Sequence, residues 1–257
     1  MAEETKTQTQ ESKFPTEVID LPTRGKCYGK DSPLFEGKID LKYMTAKEED
    51  ILTSANLIKK GVVIDMLLDS LILTKDVKTV DLILCDKNAI MVAARILAYG
   101  PEYECQITDP NTGETQQQTF DLTSCQFKEL PEDVDYSNNE FELELPITKV
   151  NITFKLLTGK DENDIANELK SLSKIGQQAE VTTRLKHIIT SVNGETSKSI
   201  ISNFVDNMLS KESLFLRDEI TRINPDINLT QEIDIGGEST EMDIPMTVEF
   251  FWPKAGA

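Results

Sequence analysis

The chain has 257 residues, 39% of them hydrophobic and 28% charged, with 27 Lys and Arg against 45 Asp and Glu for a formal charge of −18. That length supports one large or two modest domains with a sizeable core. So acidic a balance opposes approach to nucleic acid or an anionic membrane surface, which leaves a basic or neutral protein as the expected partner.

In chain order, residues 1–13 are polar and read as a disordered leader. Their start, Met1-Ala2-Glu3-Glu4-Thr5, lacks the basic and apolar blocks of a secretory signal, and no later stretch approaches the ~18 consecutive apolar residues of a membrane span, so a cytoplasmic chain with no membrane contact is expected. Residues 14–44 read as an extended arm with turns at Pro15, Pro22, Pro33, Gly25, Gly29 and Gly37, and Lys38 to Met44 as a strand.

Residues 45–157 form the first expected half. Thr45 and Glu48 make a capping box before the acids Glu48-Glu49-Asp50 of a first helical turn. After Gly61, the residues Ile64, Leu67, Leu68, Leu71 and Ile72 recur at helical spacing. A further helix is expected from Asp86 as N-cap to Gly100-Pro101, burying Ile90, Ala93, Ala94 and Leu97. The period then changes. Segments 103–108 and 116–122 flank the turn sequence Asp109-Pro110-Asn111-Thr112-Gly113, which predicts a hairpin. A second hairpin follows: Phe141, Leu143 and Leu145 alternate with Glu142 and Glu144, and Val150, Ile152, Phe154 and Leu156 with Asn151, Thr153 and Lys155, so that acids face a base across the strands.

Residues 158–253 form the second half. A helix from Asp161 presents Ile165, Leu169, Leu172 and Ile175 and stops at Gly176; further helices are expected near 180–191, 197–209 and 211–223. A third hairpin turns at Gly236-Gly237, and its return strand alternates Met242, Ile244, Met246, Val248 and Phe250. Residues 254–257 are a tail. The predicted class is α+β, two helical blocks alternating with antiparallel β-hairpins.

Four stretches together resemble the baseplate hub protein family of T-even-type contractile-tailed bacteriophages: Ile19-Asp20-Leu21-Pro22-Thr23-Arg24-Gly25, the helical string from Tyr43 to Ile72, Asp86-Lys87-Asn88-Ala89-Ile90, and Ile244-Pro245-Met246-Thr247-Val248-Glu249-Phe250-Phe251-Trp252-Pro253. The resemblance runs from about Phe14 to Pro253 and is one of kinship, not of chemical motif. It implies a non-enzymatic structural or chaperone-like protein of the baseplate central hub. Its implied partners are other hub or tail proteins, a homo-oligomer being compatible, and its implied places are the host cytoplasm during assembly and the virion tail baseplate. Some members of that family carry a Cys-x-x-Cys-Gly knuckle at the turns corresponding to 109–113 and 234–237. Neither turn holds a cysteine here, so no zinc is expected.

Chemical signatures are otherwise sparse. Gly159-Lys160-Asp161 lacks the first glycine and the following Ser or Thr of a phosphate loop, Phe154 standing where that glycine belongs. Asp161-Glu162-Asn163-Asp164 lacks the alternation, glycine and closing Glu of a calcium loop. His187 is the single histidine, which removes triads and multi-histidine metal sites within one chain. Cys27, Cys85, Cys105 and Cys125 are scattered and expected reduced, with Cys105 and Cys125 as strand residues. The alternative reading, a hydrolase built on paired acids such as Glu48 and Glu49 or Glu142 and Glu144, needs converging, partly buried carboxylates. No catalytic, cofactor or metal residue is therefore assigned. Candidate interaction residues are Met44, Leu67 and Leu71 on the helical pair and Phe250, Phe251 and Trp252 on the last strand, where neighbouring aromatics on opposite faces predict one outward ring.

Overall fold

The computed structural model describes residues 15–108, 113, 115–235, 238–246 and 248–251. The expected leader and tail, Trp252 and Pro253, the turn residues 109–112 and the Gly236-Gly237 turn lie outside the described residues.

The arm folds back on itself. β1 (Thr16–Asp20) pairs antiparallel with β2 (Lys38–Lys42), placing Ile19 opposite Ile39 and Glu17 opposite Leu41. In the intervening loop Gly25 and Gly37 have φ of 76° and 68°. A Cβ on Gly25 would lie 2.0 Å from the Phe35 carbonyl oxygen and one on Gly37 2.5 Å from the Arg24 carbonyl carbon, so the loop crosses itself at a backbone approach open only to glycine.

Short helices α1 (Ala46–Leu52), α2 (Ala55–Lys60) and α3 (Val63–Leu71) follow, α2 ending at Gly61 in the left-handed conformation. α3 buries Val63, Leu67, Leu68 and Leu71, and Met44 packs half-buried against the same cluster. Leu67 and Leu71 are thus core residues, because the apolar stripe that suggested a docking face is satisfied within the chain. α4 (Leu84–Tyr99) begins two residues before Asp86, with Ile83 as N-cap. The Leu84 N–H, an orphan donor at a helix start, is taken by the Leu157 carbonyl at 3.0 Å, which fixes the start and frees Asp86 for other bonds.

The first hairpin is β3 (Glu102–Thr108) with β4 (Thr115–Asp121), Tyr103 opposite Phe120 and Cys105 opposite Gln118. None of the four cysteines is in a disulfide. The second, β5 (Phe141–Glu144) with β6 (Asn151–Phe154), gains a third strand. α5 (Gly159–Lys174) and α6 (Glu180–Ile188) lead directly into β7 (Ile189–Val192), so the helix expected through 191 stops early. A β-branched run meeting the open edge of β6 overrides helical spacing, with Ile152 opposite Val192 and the Ser191 hydroxyl donating to Thr153 at 2.9 Å. The expected cross-strand charge pair is also replaced: Lys155 bonds both carboxylate oxygens of Asp161 at 2.8 Å, and Glu144 meets Lys149 at 3.1 Å.

After α7 (Lys198–Asp206) and α8 (Ser210–Ile223) comes the third hairpin, β8 (Thr230–Ile235) with β9 (Glu238–Asp243). The alternation predicted through Phe250 ends at Asp243, and Val248–Phe251 is a 3-10 turn. Phe250 and Phe251 are consequently not split across a strand. Both are fully buried, Phe250 meeting Tyr103 edge-on at 4.9 Å and Phe251 at 5.3 Å, so the expected outward ring is absent from this pair.

Among the described residues, eight α-helices and small antiparallel sheets make the fold α+β. Among the described residues the buried apolar side chains form two clusters, each drawing on residues from both sides of position 157. The first joins the arm, α1 to α4, β3 and β4 with Ile227, Ile233, Ile244, Phe250 and Phe251; the second joins Cys27, Ile83 and Cys85 with residues from Tyr136 to Ile223. The chain crosses back where Phe127 bridges Ile227, with Lys128 N–H to the Asp226 carbonyl and Asn228 N–H to the Gln126 carbonyl at 2.8 Å each.

Candidate functional site

One buried polar constellation is a joint between arm and helix. Asp86, third residue of α4, has no exposed surface. Its Oδ1 accepts from the Thr23 N–H at 3.0 Å, and its Oδ2 from the Thr23 hydroxyl at 2.8 Å and the Tyr28 hydroxyl at 2.6 Å. Tyr28 accepts in turn from the Ile83 N–H at 3.1 Å. Burial pushes the Asp86 pKa up against these donors, and burial with the neighbouring Asp86 pushes the Tyr28 hydroxyl and the Cys27 and Cys85 thiols up, Cys27 to about 12. Thiols held protonated are the reverse of activated nucleophiles. The joint is a fastening, and its chemistry is structural.

A second fastening lies at Glu48. Its carboxylate caps α1 by accepting from the Thr45 N–H and hydroxyl at 2.9 and 2.6 Å, and also takes Lys42 Nζ at 2.8 Å and the Ser70 hydroxyl at 2.7 Å. Burial alone would raise its pKa; Lys42, Thr45 and Ser70 outweigh burial and hold it at about 2. One side chain so ties β2, α1 and α3 together. Between the clusters, Asp65 bonds Lys87 and Asn163, while Asp69 accepts from the Thr79 N–H and hydroxyl at 2.8 and 2.7 Å. Gly159 completes this crossing, since a Cβ there would lie 2.6 Å from the Thr79 carbonyl oxygen. The Gly159-Lys160-Asp161 turn therefore packs on protein backbone, and its Asp161 forms a capping box with Thr158.

The paired acids weighed for hydrolysis do not converge. Glu48 is consumed as described, Glu49 accepts from the Tyr99 hydroxyl at 3.3 Å, and Glu142 and Glu144 are exposed on β5. His187 Nε2 meets Glu168 at 3.1 Å across α5 and α6. Among the described residues no group of three or more His, Cys, Asp or Glu is placed to hold a metal, and no helix is long and apolar enough to cross a membrane.

Two of the stretches that carried the sequence resemblance, Ile19–Gly25 and Asp86–Ile90, thus meet at the Asp86 joint, and a third contains the Glu48 fastening. The T4 bacteriophage base plate protein family matches residues 15–252. The chain belongs to that family. No curated protein and no solved structure matches it. This baseplate protein uses its family stretches to hold arm, helices and crossings together; of its exposed apolar side chains, Ile58 and Met66 fall within those stretches and others lie outside them. Val18 on β1, Ile147 before β6, Ile175 after α5, and Leu214 and Phe215 on α8 are exposed, Ile175 at 69%. None of these five stood among the expected interaction residues, although Ile175 belonged to a predicted stripe whose first residue, Ile165, is fully buried.

Proposed function

We infer that this chain is a non-enzymatic structural or assembly protein of the baseplate central hub, working through contacts with other hub or tail proteins in the host cytoplasm and the tail. The observation that carries the reading is the use made of its buried acids. Asp86 and Glu48 each have both carboxylate oxygens taken by internal hydrogen bonds. Catalytic carboxylates need a lining that leaves an oxygen free toward a substrate; these acids serve the fold. The hub assignment rests on the sequence resemblance, whose stretches supply the Asp86 and Glu48 fastenings, and the acidic surface supports a basic or neutral protein partner.

The test is affinity capture of the tagged chain from infected cells, with mass spectrometry of the complexes and of purified virions. Capture of hub proteins is the expected result. Capture of peripheral baseplate proteins alone would move the chain out of the hub, and its presence or absence in virions separates a permanent component from an assembly factor.

A further inference from the structure

β1 is the end of its sheet. The Leu73 N–H donates to the Asp40 carbonyl and the Asp40 N–H to Thr74 Oγ1, both at 2.9 Å, so the Asp40 backbone faces away from β1. Its register partner Val18 therefore sits in a non-hydrogen-bonded pair, and by the alternation of an antiparallel ladder the N–H and C=O groups of Thr16, Val18 and Asp20 point outward. No described strand pairs with them. Val18 at the centre is 58% exposed. The strand carries Glu17 and Asp20 and no base, while the lysines of this sheet, Lys38 and Lys42, lie one strand inward. Lys42 is committed to Glu48, and Asp20 meets Lys38 at 3.3 Å between two exposed side chains, a contact readily exchanged.

We propose that this edge receives an extended segment of another baseplate protein as a third strand, with Lys or Arg opposite Glu17 and Asp20 and an apolar residue opposite Val18. Backbone pairing supplies the attachment and the flanking acids select the sequence. The charge of −18 opposes a second copy of this chain in the same place. Pro15 and Pro22 bracket the strand and confine pairing to its five residues, which suits one short segment and blocks open-ended sheet growth. The proposal rests on the reading of the chain as a contact-making assembly protein.

Val18→Pro tests it, because that N–H points outward and its loss leaves the β1–β2 ladder intact. The purified tail and baseplate proteins of the same phage are passed one at a time over the immobilised wild type and the variant, and amide exchange in β1 is followed in each complex. The expected result is an unchanged unfolding midpoint, slowed exchange at β1 in the wild-type complex, and capture weakened about tenfold or more in the variant. The exposed pair Glu17→Lys with Asp20→Lys should lose the same partner and decides the matter if proline disturbs folding. Equal capture by wild type and variants overturns the edge while sparing the assembly reading; capture of no baseplate protein by the wild type overturns both. Self-association that Val18→Pro abolishes would assign the edge to a second copy and overturn the basic partner.

Discussion

Asp86 and Glu48 are both fully buried acids in the first turn of a helix, and each holds an approaching segment by accepting hydrogen bonds. Asp86 receives only neutral donors, from Thr23, Tyr28 and the Cys85 thiol, and burial raises its pKa above the ordinary 3.8. Glu48 receives hydroxyls, a backbone N–H and the Lys42 ammonium, and its pKa falls from 4.5 to about 2. Hydroxyl and amide donors do not by themselves keep an interior carboxylate easy to ionise; a cation in the same site does. The consequences for stability have opposite signs. The contribution of Glu48 is complete above pH 4.5 and is lost as pH falls through about 2. For Asp86 the folded state binds its proton more tightly than the unfolded one, so its contribution is greatest below pH 3.8 and declines as pH rises through its raised value.

Removing each acceptor is the strongest way to break this comparison. Asp86→Ala leaves the Thr23 N–H, the Thr23 hydroxyl and the Tyr28 hydroxyl without their acceptor, and at ~1–3 kcal/mol for each buried orphan the loss in urea unfolding should reach about 3 kcal/mol or more. Asp86→Asn keeps an acceptor and should lose less; equal losses would show that the charge itself matters at this joint. The loop that presents Thr23 can be attacked separately. Gly25→Ala forces a Cβ against the Phe35 carbonyl at positive φ, and a cost of about 2–3 kcal/mol is expected from the same measurement.

Glu48→Gln sharpens the electrical half of the contrast. A charge-assisted bond is worth ~1.5–3 kcal/mol, so the variant should lose about 2 kcal/mol at neutral pH. Its stability should then fall less between pH 4.5 and 2 than that of the wild type, since Asp161, also held below its ordinary value, still titrates there; an equal decline would place the acid transition on other groups. The smallest effect belongs to Thr45→Ala, which deletes one hydroxyl from the cap while leaving Lys42 and Ser70 on Glu48, for ~1 kcal/mol. A loss as large as that of Glu48→Gln would mean that the cap, and not the cation, governs this fastening.

The Thr45–Glu48 capping box, both early hairpins and the stripe of α3 were legible because each is encoded over a few neighbouring residues. Elements decided by distant partners were not. Asp86 looked like an N-cap since that role is the common local one, and nothing near it in sequence announces Thr23 and Tyr28. The run Ile189 to Val192 continued a helical spacing until β6 offered it an edge. Phe250 and Phe251 alternated like strand residues, and the 3-10 turn that buries both is imposed by packing against Tyr103. Leu67 and Leu71 show the same limit from the other side: an apolar stripe states that something covers it, not whether the cover is a partner or the chain itself.

The return of the C-terminal segment to the first cluster sets an order of events during synthesis. Tyr103 donates its hydroxyl to the Pro245 carbonyl and packs its ring on Phe250, a closure across 142 residues of chain. At roughly 5–20 residues per second, translation of that interval takes on the order of ten seconds, during which Tyr103 lacks the cover that Pro245 and Phe250 supply. The second cluster, drawn from Cys27 to Ile223, has all its residues first. The ribosome therefore releases a chain whose later-built half is ready to fold before its earlier half can close, and a pulse-labelled nascent chain should gain protease resistance in that order.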